Sequence, residues 1–215
     1  MKPVEFAHRV IGWNRTLSSA LTPRLARTNL NPNQITTLSL AAGFAAAICF
    51  SRSTRADFLI GAGLLQLSFV LDNCDGAVAR LKGLSSAFGM WYDFVCDLLV
   101  DFAVWAGLAV GARAQGQGPW VYGLAAAAAL ASFLNFLRVT SERTRTPEKK
   151  PGVPRPGALA AIGGLFDALS HDGDPTLFIW VLAAAGRADL YLALGAGYMY
   201  VLWLVAVIRS ARPVR

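Results

Sequence analysis

Between residues 72 and 97 the chain reads D-N-C-D-G-A-V-A-R, then eight further residues, then G-M-W-Y-D-F-V-C-D. Asp72 and Asp75 stand three apart and Asp93 and Asp97 four apart, so each pair occupies one face of a helix. Two such faces turned toward each other offer oxygen ligands to hard divalent cations. Mg2+ or Mn2+ held by Asp72, Asp75 and Asp93 would bind a pyrophosphate and keep the carboxylates ionised. A cation bridging phosphate oxygens acts as a Lewis acid at phosphorus and stabilises a departing phosphate. Asp97, one turn deeper than Asp93, is the natural general base for an attacking hydroxyl. Gly76 and Gly89 lack side chains and let a ligand approach the helix backbones. Ala79 keeps the same face open, and Arg80 adds a forked, permanently charged phosphate contact. Asp101 continues the Asp93/Asp97 face one turn further. It is either a supporting group behind the ligands or the partner of a polar residue on another helix.

The elements that must position these groups are apolar. The chain has 215 residues, 55% of them hydrophobic and only 15% charged, with a mean hydropathy of +0.45. A soluble domain of this length carries more charge. Carboxylates are costly in a membrane-like setting, so a cluster of them there marks a functional site. Apolar stretches at 35–51, 56–79, 90–112, 119–140, 174–187 and 188–208 approach the roughly 20 residues that cross a bilayer as helix. The fifth is short, and the apolar stretch 158–169 before it offers a re-entrant or interfacial alternative. The last two are separated by Gly186-Arg187-Ala188-Asp189; without that break they would form one helix of roughly 50 Å, too long for one crossing. Gly61, Gly63 and Ser68 are small residues suited to close helix packing.

Residues 3–21 set Val4, Ala7, Val10, Ile11, Leu17 and Leu21 at near-helical spacing, with Arg9, Asn14 and Arg15 elsewhere and Trp13 as an interfacial anchor. That pattern predicts an amphipathic helix lying on the cytoplasmic leaflet, the alternative being a solvated leader. The expected fold is an all-α integral membrane protein, a bundle of six transmembrane helices preceded by an interfacial helix. Residues 1–30 form the interfacial segment and 31–215 the membrane domain. Asn31-Pro32-Asn33-Gln34-Ile35-Thr36 is a turn-and-cap sequence, in which Asn33 and Thr36 serve capping or reach a ligand. Charges spread through residues 1–30 do not form a cleavable signal.

The net charge of +7 does not indicate nucleic acid, because its distribution is one-sided. With six spans and the N-terminus inside, all but Arg52, Arg55, Arg113 and Arg187 of the 20 Lys and Arg fall on the cytoplasmic side. This is the positive-inside asymmetry of a polytopic membrane protein, expected here in the cell (inner) membrane with both termini inside. The aspartates then sit at the cytoplasmic ends of spans two and three, where water-soluble nucleotides are available. Residues 141–157, rich in proline and basic groups, either express that asymmetry or contact a phosphate or anionic lipid. Cys49, Cys74 and Cys96 share no metal-type spacing, which argues against disulfides and zinc. His8 and His171 make no constellation.

Asp72-x2-Asp75-Gly76-x2-Ala79-Arg80-x8-Gly89-x3-Asp93-x3-Asp97 resembles the signature of the CDP-alcohol phosphotransferase family, with all eight specified positions filled. The resemblance implies a bundle of six membrane helices, often homodimeric, with a polar cavity facing the cytoplasm. It implies that Asp72, Asp75, Asp93 and Asp97 surround divalent metal, with Asp97 as the base. Asp75, Gly76, Ala79, Arg80 and Gly89 would receive the cytidine nucleotide. The implied reaction transfers a substituted phosphate from a CDP-linked alcohol to a hydroxyl acceptor and releases CMP. The expected form moves phosphatidyl from CDP-diacylglycerol to a polyol or polyol phosphate, as in phospholipid biosynthesis. The alternative is headgroup transfer from CDP-choline or CDP-ethanolamine to diacylglycerol. Arg138 is a candidate contact for an acceptor or lipid phosphate. An ion transporter would spread acidic residues toward both faces, whereas these lie toward one. A non-catalytic scaffold would not keep the complete signature.

Overall fold

The computed structural model describes residues 13–145 and 176–210. Residues 1–12 of the amphipathic segment, 146–157 of the basic loop, the stretch 158–169 and both histidines lie outside the described residues. Those described form seven α-helices and no strand: α1 (Trp13–Ala26), α2 (Pro32–Ser51), α3 (Arg55–Lys82), α4 (Ala87–Ala114), α5 (Trp120–Arg145), α6 (Thr176–Ala185) and α7 (Ala188–Ser210). Four of these, α2, α3, α4 and the Trp120–Arg138 part of α5, are long and apolar enough to cross a membrane. The protein is therefore built as a multi-pass membrane bundle.

Local chemistry sets the helix ends. Asn31 caps α2 through a reciprocal pair in which its side chain accepts from Gln34 N at 2.9 Å and Gln34 Oε1 accepts from Asn31 N at 2.9 Å, with Pro32 in the first turn. α3 stops at Gly83, whose φ of +66° a glycine adopts without strain. Ser86 then caps α4 by accepting from Gly89 N at 3.0 Å. This short turn folds α3 and α4 into a hairpin whose register follows from the sequence. Asp75 and Asp93 lie seven and six residues from the facing helix ends, and Asp72 and Asp97 each lie ten.

Apolar burial does not drive helices together within lipid, so close backbone approach has to hold them. A Cβ at Gly107 would collide with the Ala47 carbonyl, and one at Gly111 with the Phe50 carbonyl, so α4 lies directly on α2. Gly61 makes room for the Phe50 ring, which a Cβ there would meet at 2.8 Å. Ser39 Oγ donates to Ser68 O and Ser68 Oγ donates to Ser39 O, both at 2.9 Å, joining α2 to α3. α5 and α7 pack beside α4 and α6 beside α3, with Phe50 near the rings of Phe58 (5.5 Å) and Tyr191 (5.7 Å). Gly186 (φ +65°) separates α6 from α7, as the sequence predicts. Gln115 clamps that break, donating to Gly186 O at 2.7 Å and accepting from Ala188 N at 3.1 Å.

The side of α1 turned to the bundle is mixed: Asn14, Ser18 and Thr22 are buried while Leu17 and Arg15 are exposed. Gln66 of α3 donates to Asn14 Oδ1, and Cys74 Sγ approaches Ser18 O at 3.6 Å. Leu21 and Leu25 of the same helix pack on the cluster of Ile35, Val70, Cys74 and Val78, so small polar and apolar side chains share the contact with the bundle. Lys82 Nζ secures the connection to α2, donating to Thr28 O at 2.8 Å and Leu30 O at 2.6 Å.

Candidate active site

The hairpin brings the aspartates together. Oxygens of Asp72, Asp75 and Asp93 lie within 4.8 Å of one another. Asp75 is buried and accepts from the Thr36 hydroxyl of α2, so α2 fixes one of these carboxylates from outside the hairpin. Asp93 Oδ1 is buried with no hydrogen-bond partner, and no Lys or Arg forms a salt bridge with the cluster among the described residues. A buried carboxylate oxygen without a donor is expensive. Three converging carboxylates with such an oxygen fit a hard divalent cation. Asp97 stands outside this tight set; its carboxyl lies close to Asp72 and is exposed to the adjoining cavity.

Two cavities meet at the cluster. The first, of about 400 Å³, is walled by Asn33 and Thr36 of α2, by Asp75, Gly76, Ala79 and Arg80 of α3, and by Gly89 and Asp93 of α4. Every position assigned by resemblance to the nucleotide lines it. Gly76 opens onto this space, since a Cβ there would meet only Arg80 Nη1 at 3.5 Å. Gly89 is tighter: a Cβ would press on Ser86 Oγ at 3.1 Å and Asn33 Oδ1 at 3.2 Å. The second cavity, of about 340 Å³, is lined by Ser39, Ser68, Asp97, Asp101, Ser132, Asn135 and Thr140, with Phe69, Phe94 and Phe136 as apolar wall. Asp72 lines both.

Arg138 lies outside the lining but donates from Nη2 to Asn135 Oδ1 at 3.0 Å, one turn away on α5. Asp101 lines the second cavity beside Ser132. Sequence reasoning left Thr36 divided between capping and ligand contact, and read Ser68 only as a packing residue. It missed Ser39, Ser132 and Asn135. Their signal was polarity inside apolar runs, but only the helix pairing shows which of them face a common space.

The family model for CDP-alcohol phosphatidyltransferase matches residues 29–207, and the chain belongs to that family of transferases. It is 32% identical over 170 residues to the bifunctional IPC transferase and DIPP synthase of Rubrobacter xylanophilus, covering 77% of this chain and 36% of that protein. The Aquifex aeolicus protein of the same description is 36% identical over 110 residues, covering 51% and 24%. The chain thus spans about a quarter to a third of the length of these relatives. The phosphatidylinositol phosphate synthase of Mycobacterium marinum is 26% identical over 196 residues, covering 89% and 74%. The crystal structure of Mycobacterium tuberculosis phosphatidylinositol phosphate synthase with CDP-DAG bound superposes with a TM-score of 0.52 at 22% identity, covering 85% and 93%. The same enzyme in complex with manganese and citrate gives 0.50. At that identity the likeness shows a shared fold.

Proposed function

We propose that the protein transfers phosphatidyl from CDP-diacylglycerol to a polyol or polyol-phosphate hydroxyl and releases CMP. The observation that carries this reading is the pair of cavities meeting at Asp72, with the nucleotide-type positions on one side and Asp97 on the other. Asp72, Asp75 and Asp93 would hold Mg2+ or Mn2+, with Asp97 beside them. When bound, the cation supplies Lewis-acid polarisation of the pyrophosphate oxygens. Gly76, Ala79 and Gly89 leave space for the cytidine, while Arg80 orients its phosphate. Asp97 takes the proton of the acceptor hydroxyl. The acceptor oxygen forms its bond to the lipid-bearing phosphorus, the bond from that phosphorus to the CMP oxygen breaks, and the electron pair leaves with CMP.

Six membrane crossings, termini and site on the cytoplasmic side of the inner membrane, a cytoplasmic-leaflet position for α1 and a homodimeric assembly complete the reading. The one-sided Lys and Arg distribution supports the topology, and the family resemblance supports the assembly.

The test is CMP release by purified protein from CDP-diacylglycerol with Mn2+ or Mg2+, across inositol phosphate, glycerol phosphate, serine, inositol and no acceptor. Release that depends on a polyol acceptor and is lost in Asp97→Asn is the expected result. Release only from CDP-choline or CDP-ethanolamine with diacylglycerol would replace this reading with headgroup transfer.

A further inference from the structure

The second cavity contains a polar arrangement that the transfer step leaves unused. Trp105 Nε1 donates to Ser132 Oγ at 3.2 Å, and both residues are buried. An indole nitrogen only donates, so Ser132 accepts from it and keeps its own proton for a second partner. That partner is Asp101, whose carboxyl is within hydrogen-bonding reach of the Ser132 side chain, and the two line the cavity together. An ionised carboxylate only accepts. Trp105 and Ser132 therefore hold the Asp101 carboxyl, whose remaining lone pairs present an acceptor to the cavity.

A ligand hydroxyl can donate to that carboxyl. A phosphate would instead meet the Asp101 charge. Asp101 follows Asp97 by one helical turn, a rise of roughly 6 Å. A hydroxyl read here is thus remote from the one attacking at Asp97. The flanking rings of Phe94 and Phe136, 6.4 Å apart and edge-on, give the carbon skeleton between those hydroxyls an apolar surface.

We propose that Asp101, held in place by Ser132 and Trp105, binds a second hydroxyl of the acceptor and so selects a polyol over a single-hydroxyl alcohol. The assignment rests on the transfer reading for its substrate, but its test separates the two. Asp101→Asn and Ser132→Ala are assayed with inositol phosphate and with its deoxy analogues, one hydroxyl removed at a time. The expected result is a KM for inositol phosphate raised about tenfold or more, the scale of a lost hydrogen bond to a charged group, with a smaller change in kcat and in the KM for CDP-diacylglycerol. For one deoxy analogue the variants should show no added penalty over wild type. An equal loss with every acceptor, or an unchanged KM, overturns the assignment. Thermal unfolding in detergent supplies a readout independent of turnover: inositol phosphate should raise the Tm of wild type and not that of Asp101→Asn. If wild type shows this shift but releases no CMP, the transfer reading fails and the hydroxyl site stands. If wild type shows no shift, the hydroxyl site fails.

Discussion

The Thr36 hydroxyl of α2 donates to Asp75 Oδ2 of α3, and both side chains are buried. A helix outside the carboxylate hairpin thereby sets the orientation of one of its three converging carboxylates. Thr36→Val keeps the shape and removes the donor, leaving Asp75 to find another partner. We expect the metal concentration for half-maximal activity to rise about tenfold, with Thr36→Ser restoring most of it. Titration of CMP release against Mn2+ measures this.

Asp97 faces the second cavity rather than the tight carboxylate set, so removing its charge should spare binding. Asp97→Asn should retain CDP-diacylglycerol binding and lose turnover by about 10²–10⁴-fold, the usual contribution of a general base. A variant that bound donor and turned over near normally would remove Asp97 from that role.

The orphaned Asp93 Oδ1 gives chelation a physical consequence beyond lost activity. Stripping divalent cations should abolish CMP release and lower the Tm, since cation binding to the folded state adds stability by mass action. Asp93→Asn should blunt that metal-dependent rise in Tm. Calorimetry with and without Mn2+ reads both.

Where α4 lies on α2, Gly107 leaves no room for a side chain beside the Ala47 carbonyl. Gly107→Ala should therefore destabilise the bundle by about 1–3 kcal/mol, as overpacking does. Gly123, where a Cβ meets nothing within 4 Å, is the control: Gly123→Ala should be neutral or mildly stabilising. Unfolding in detergent compares the pair.

Arg113, near the end of α4 opposite the carboxylates, belongs on the external face in the six-crossing topology. A cysteine placed there, in a background lacking the native three, should react with an impermeant thiol reagent from outside. Labelling only from the cytoplasmic side would contradict that topology.

The hairpin carrying Asp72, Asp75, Asp93 and Asp97 was legible because one local rule, helical periodicity around a short turn, places all four. The break at Gly186 was legible for the same reason. Less accessible was anything that depended on which helices become neighbours. Asn14 read as lying off the apolar face of a surface helix, yet it is buried, because Gln66 of α3 donates to it. Ser132 read as one more residue in an alanine-rich span; its meaning arises from Trp105, 27 positions away. Asp101 stood out in the sequence, but its partner did not.

The two cavities also divide the chain by order of synthesis. The first is lined entirely by residues between Pro32 and Asp93, whereas the second requires Ser132, Asn135 and Thr140 of α5. The first chamber is thus encoded in one contiguous stretch, complete before the second leaves the ribosome. Under the proposed reaction, changes in the later helices would alter which alcohol is accepted without rebuilding the earlier half. Asp72, the one carboxylate common to both chambers, is where such variation has to stop.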